Sequence, residues 1–161
     1  MQVAVYPGSF DPITKGHLEI IRRTSKICGR LIVAVVDNPN KEALFTLEER
    51  LEMIKHSVED LDNVEIDIFK GLLINYVKEK QVRIIVKGLR AVSDFEYEFQ
   101  MALMNKSICG EIETLFMMTS PEYSFLSSSM VKEVVLLGGR VDDFVTPFVH
   151  RKIIEKIGNG G

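Results

Sequence analysis

The chain has 161 residues, 46% of them hydrophobic and 27% charged, with a formal net charge of −3. This describes one ordinary globular domain, outside the disordered class and acidic enough to lack any global attraction to nucleic acid. No apolar run is long enough to span a bilayer and no charged-then-apolar leader opens the chain, so a cytoplasmic protein with no membrane partner is expected.

The first apolar segment, "VAVY" at 3–6, reads as a strand. It runs into "YPGSFDPITKGHLEII" at 6–21, a connection far longer than the common two to six residues before a helix opens near Gly16-His17. "LIVAVVD" at 31–37 is nearly continuous in apolar residues, the pattern of a strand buried on both faces, and leads to Asp37, Asn38, Pro39, Asn40 and Lys41. "TLEERLEMIKHSVEDL" at 46–61 reads as a helix with Leu47, Leu51, Ile54, Val58 and Leu61 on its apolar stripe. Thr46 and Glu49 give it a capping-box start.

"VEIDIF" at 64–69 is the third strand, followed by Lys70 to Leu73, and "RIIVKG" at 83–88 is the fourth. Ser93 and Glu96 form a second capping signature before a helix with Phe95, Phe99, Ala102 and Leu103 on one side. "TLFMM" at 114–118 is the fifth strand, and Thr146-Pro147 opens a last helix reaching about Ile157. Residues 1–157 form one domain, and "GNGG" at 158–161 is a flexible tail. Cys28 and Cys109 have no CxxC spacing and are expected to be free thiols.

Alternation of strand and helix implies an α/β domain, a parallel sheet with helices on both faces. Ligands of such sheets bind beyond the carboxyl ends of the strands, where strand order reverses. Three stretches there carry chemistry. The opening loop has Gly8 and Gly16 but no GxGxxG, and it places His17 at a helix start. "KGLRAVSDFEYE" sets Lys87 and Arg90 around a glycine, with Glu96 and Glu98 in the helix that follows. "SFLSSSMVKE" gathers Ser127, Ser128 and Ser129 where a helix dipole favours an anion. Each alone has a bland explanation, as a first-turn residue, a solvated turn or a cap. Together they suit phosphate groups.

"YPGSFDPITKGH" resembles the first motif of the nucleotidylyltransferase superfamily, and "FLSSSMVK" its second. "NPNK", "FTLEERLEMI" and "KGLRAVSDFEYEFQMALMN" are similar to the bacterial phosphopantetheine adenylyltransferases in particular, over about residues 2–157. The resemblance implies a single Rossmann-like, doubly wound domain with a five-stranded parallel sheet. It implies transfer of AMP from ATP to 4′-phosphopantetheine, giving dephospho-coenzyme A and pyrophosphate, with Mg²⁺ bound mainly through ATP phosphates. Dephospho-coenzyme A and coenzyme A would be product or inhibitor, and the enzyme a homohexamer.

Residue by residue, it implies that Ser9, Phe10, His17, Gly88, Leu89, Arg90, Glu98 and Tyr123, Ser124, Phe125, Leu126, Ser127, Ser128, Ser129 contact ATP. Ser9, Lys41, Leu73 and Lys87 would hold phosphopantetheine, with His17, Lys41 and Arg90 catalytic. Three positions depart from common relatives: Ser9 for threonine, Tyr123 for tryptophan, and Lys87 for arginine, which gives up the planar fork. The chemistry fits these residue types without any name. A phosphate nucleophile needs no protein base, only positioning and neutralisation of developing charge. Another small nucleotidylyltransferase, using CTP or nicotinamide mononucleotide, is the nearest rival, and a nucleotide sensor without turnover a more distant one. The length leaves no room for the anticodon-binding domain of a tRNA synthetase.

Overall fold

A computed structural model describes residues 1–90 and 95–158. Five parallel strands, β1 (Val3–Gly8), β2 (Arg30–Val36), β3 (Val64–Phe69), β4 (Ile84–Leu89) and β5 (Glu113–Met118), lie in the order β3-β2-β1-β4-β5. The helices are α1 (Lys15–Ser25), α2 (Leu47–Ser57), α3 (Leu73–Glu79), α4 (Phe95–Ile108), α5 (Ser128–Leu136) and α6 (Pro147–Gly158). A single 3₁₀ turn, Pro121–Tyr123, follows β5. The expected class and five strands are present, with ends shifted by no more than two residues. Order reverses between β1 and β4, which puts the crevice beside the opening loop.

Strand alternation divides the core. Ala4, Tyr6, Leu31, Val33, Val35 and Val86 face one side, packed with Ile20, Ile21, Met53, Ile54, Val131, Val149 and Ile153 from α1, α2, α5 and α6. Val5, Ile32, Ala34 and Ile85 face the other, under Ile74, Tyr76 and Val77 of α3. Both faces of the central strands are dry, which explains their unbroken apolar runs.

Four sequence readings change. The seven-residue α3 has no side-chain cap and is too short to display a period, so nothing in the sequence announced it. The buried positions of α2 are Arg50, Met53, Ile54 and Ser57, rotated from the leucine stripe, and the helix ends at Ser57 instead of running on to Leu61. Leu47, Leu51 and Leu61 still pack partly against the core. Helix α4 buries none of its residues within the chain: Phe95, Tyr97, Phe99, Leu103 and Met104 are all exposed. Of the expected tail, Gly158 ends α6 and 159–161 lie outside the described residues, as does Ser93 of the second capping signature.

Candidate active site

The opening loop is held from behind. Strand β1 ends at Gly8, where a Cβ would come within 3.0 Å of the Phe10 ring, so only glycine fits without a shift. Phe10 adopts φ 49, a conformation that a phenylalanine keeps only when its surroundings dictate it. They do: the ring is buried edge-on against Tyr6 and His17, at centroid distances of 5.5 and 5.1 Å. Arg50, buried in α2, donates from Nη1 to the Ser9 carbonyl at 2.9 Å and to that of Val36 at 3.2 Å. The buried Asp11 carboxylate accepts the N–H groups of Leu44 and Phe45, each at 2.9 Å, and Lys132 Nζ at 3.0 Å. One carboxylate thus ties the opening loop, the segment after Lys41 and helix α5 together.

Helix α1 begins with a capping box in which the third helical residue is a histidine. His17 Nδ1 accepts the Thr14 backbone N–H at 3.0 Å, and the Thr14 hydroxyl lies 3.1 Å from the same nitrogen. An Nδ1 that accepts has no hydrogen, so the proton of the neutral ring sits on Nε2. Enclosure by the cleft walls, and secondarily the Arg90 guanidinium, lower its pKa from 6.5 to about 4. At neutral pH this is an uncharged, fixed-tautomer donor.

The opposite wall comes from β4, β5 and the loops after them. Arg90 Nη1 donates to the Leu126 carbonyl at 3.0 Å, joining the fourth strand's loop to the serine run. Lys87 Nζ lies 3.5 Å from Glu98 Oε2. The Glu19 carboxylate of α1 accepts the Ser120 N–H at 3.2 Å and also the Ser120 hydroxyl, and Arg23 donates to the Met118 carbonyl. Two of the three serines already have partners. The Ser127 side chain caps α5 through Met130 N–H at 3.1 Å, and Ser128 Oγ donates to the Pro12 carbonyl at 2.7 Å.

These walls enclose a cleft of about 390 Å³. It brings together Ser9, Phe10, His17, Lys41, Lys87, Gly88, Arg90, Glu98, Tyr123, Leu126, Ser127, Ser128 and Ser129 from segments more than 100 residues apart in sequence. Phe10 takes part mainly as a buttress, since its side chain is turned into the core. Leu89, Ser124 and Phe125 do not line the cleft: Leu89 is buried, and Phe125 packs on Phe144. Leu73 lies in a second, more apolar groove of about 170 Å³, where α4 contributes Tyr97, Met101, Ala102, Met104, Asn105 and Ile108.

Sequence reasoning missed that groove and the supports Arg50, Asp11, Lys132 and Glu19. An arginine at a buried position of α2 was the one available signal, legible only once the helix phase is known. Among the described residues no three His, Cys, Asp or Glu side chains cluster as metal ligands. No helix there is long and apolar enough to cross a membrane.

The cytidylyltransferase-like family matches residues 5–134. A phosphopantetheine adenylyltransferase of Clostridium novyi is 55% identical over 158 residues, covering 98% of each chain. One of Heliobacterium modesticaldum is 57% identical over 159 residues, covering 99% of this chain and 95% of its own. In fold alone, the nicotinic acid mononucleotide adenylyltransferase of Plasmodium falciparum superposes with a TM-score of 0.69 at 15% identity, over 97% of this chain and 95% of its own. With more than half the residues shared along nearly the full length, and the cleft where the two motifs place it, the chain belongs to the phosphopantetheine adenylyltransferase family.

Proposed function

We propose that the cleft binds ATP and the phosphate of 4′-phosphopantetheine side by side and moves the adenylyl group between them. The products are dephospho-coenzyme A and pyrophosphate, a step of coenzyme A biosynthesis. One observation carries this division of the site: the polar cleft and the apolar groove share Lys87 and Glu98. An acceptor with a phosphate at one end and a long, weakly polar arm at the other matches that pairing. Its phosphate meets Lys87, Lys41 and the Ser9 hydroxyl, while the arm lies along Leu73 and the α4 groove. Dephospho-coenzyme A and coenzyme A carry the same arm and occupy the same groove, as product or inhibitor.

The acceptor phosphate is already anionic at neutral pH, so attack on the α-phosphorus needs no base. The new P–O bond forms as the bond to the leaving pyrophosphate breaks. His17 donates from Nε2 to an α-phosphoryl oxygen as charge builds there. Lys41 and Arg90 balance the charge of the triphosphate, and N–H groups at the start of α5 add a fixed positive end. Tyr123 and the following loop receive the nucleoside, just after Ser120, which is hooked to α1 through Glu19. Because the neutral ring accepts the Thr14 N–H at Nδ1, its orientation is held while Nε2 donates.

Among the described residues, the cleft's hydroxyls and a single carboxylate that faces a lysine suit Mg²⁺ arriving on ATP and keeping water ligands, rather than an ion caged by protein. When bound, that ion neutralises phosphate charge. The bare apolar surface of α4 supports assembly into a homohexamer. The free thiols Cys28 and Cys109 suit the reducing cytoplasm.

The deciding experiment is pyrophosphate release on mixing the protein with ATP, Mg²⁺ and 4′-phosphopantetheine. Release with this acceptor, and none with nicotinamide mononucleotide or on replacing ATP by CTP, is the expected result. Release only with one of those alternatives overturns the acceptor assignment.

A further inference from the structure

Lys87 projects from β4 and Glu98 from the first turn of α4, and they meet where cleft and groove join. Nζ and Oε2 are 3.5 Å apart, with the side chains 28% and 19% exposed. A pair this enclosed is less screened than one on the open surface. The lysine proposed to hold the acceptor's phosphate therefore already has an anion beside it. A phosphate arriving at Lys87 must displace the carboxylate or sit next to it, and either is unfavourable. The pair is then a threshold that any anion must overcome.

We infer that Glu98 is a placeholder anion for the acceptor's phosphate, and that it makes the Lys87 seat accessible only to a phosphate monoester bearing an arm that fills the α4 groove. This rests on the reading that Lys87 meets that phosphate. Inorganic phosphate, or a terminal phosphate of ATP itself, brings charge but nothing for the groove, so it lacks the interaction that would offset opening the pair. Pantetheine without its phosphate fills the groove and leaves the pair closed. The true acceptor does both, and binding of the remote arm drives rearrangement at the reacting end. Glu98 thus weakens binding of the acceptor and of bare anions alike: it leaves the ratio of their affinities unchanged and lifts the Kd of an anion without the arm out of the range in which it would occupy the seat. It is an occupancy filter acting through Lys87.

The test is calorimetric titration without ATP on the wild type, Glu98→Gln, Lys87→Met and the double variant. The probes are 4′-phosphopantetheine, pantetheine and inorganic phosphate. Expected is a roughly tenfold tightening of phosphopantetheine and of inorganic phosphate in Glu98→Gln, with pantetheine unchanged, which also verifies an intact groove. The gain should vanish when Lys87→Met is added. If Lys87→Met weakens phosphopantetheine but Glu98→Gln leaves it unchanged or weakens it, the placeholder is refuted while the Lys87 assignment stands. A gain that persists without Lys87, or extends equally to pantetheine, also refutes it. No loss of phosphopantetheine affinity in Lys87→Met removes the Lys87 assignment and the inference together.

Discussion

Thr14 and His17 cap one another: the threonine side chain receives the His17 N–H at 3.4 Å, and the His17 ring receives the Thr14 N–H at 3.0 Å. A capping box normally uses glutamate or glutamine at this position. Histidine does the same structural work and leaves a single N–H for the cleft. Because the ring's pKa is lowered to about 4, kcat should show no ionisation from His17 between about pH 5 and 9. A limb near pH 6.5 in the kcat profile that disappears in His17→Asn would contradict a neutral donor.

His17→Ala is expected to reduce kcat by at least roughly 10²-fold, the usual effect of deleting one transition-state donor. ATP affinity should change far less. The variant also leaves the Thr14 N–H without its acceptor, so a stability loss of about 1 kcal/mol should accompany it. Near-normal kcat in the folded variant would remove His17 from the reaction.

Acid should destabilise the fold in two stages. A histidine held neutral binds fewer protons folded than unfolded, so its contribution is lost as pH falls from about 6.5 towards 4, up to about 3 kcal/mol at about 1.4 kcal/mol per pKa unit. Asp11 acts at lower pH. Burial would raise its pKa, but the Phe45 and Leu44 N–H groups and Lys132 outweigh burial and hold it below the ordinary carboxylate value. Its stabilisation is present above that ordinary value and lost as pH falls through the lowered one. Thermal melts should therefore fall below pH 6.5, and His17→Ala should flatten the upper stage alone. An unchanged slope between pH 6.5 and 4.5 in that variant would show that His17 does not cause it.

Arg90→Ala should act mainly on the nucleotide, because Arg90 both faces the cleft and anchors the Leu126 carbonyl. Losing a charge-assisted contact costs about 1.5–3 kcal/mol, so KM for ATP should rise about tenfold or more. Unchanged ATP affinity with a weakened acceptor would reverse the assignment of sides.

The exposed apolar side chains of α4 should be covered in solution by other copies of the chain. Leu103 is 56% exposed and lines neither cavity, so Leu103→Glu tests assembly without entering the site. Light scattering should give a smaller species for this variant than for the wild type. Identical masses for the two would show that the α4 face is not the contact.

Much of this was legible in the sequence because the signals were local. Strand runs such as Leu31 to Val36, the Thr46–Glu49 cap and the Thr146-Pro147 start need only neighbouring residues. The site's membership was legible for a different reason: residues just past each strand of a parallel sheet share one edge, so His17, Lys87, Arg90 and the serines had to converge. What escaped depends on phase or distance. Arg50 is buried because α2 is rotated by about one residue from its leucine stripe. Asp11 and Lys132 stand far apart in sequence and gain their meaning only from meeting. The α4 groove was hidden because apolar residues all round a helix give no direction, and the absent stripe was read as a one-sided one.

Strand β1 pairs with β2 along all six of its residues, but with β4 only at Ala4–Ile84 and Val5–Ile85. Beyond those rungs the two strands part, and the cleft lies in the gap. The site is thus the open end of a wedge whose closed end is a few apolar side chains in the core. Its aperture is fixed where Val5 pairs with Ile85, two buried residues that do not line the polar cleft. Changes in core volume there act on the spacing between the two walls, so the width of the reaction space is a property of packing rather than of the polar groups that line it.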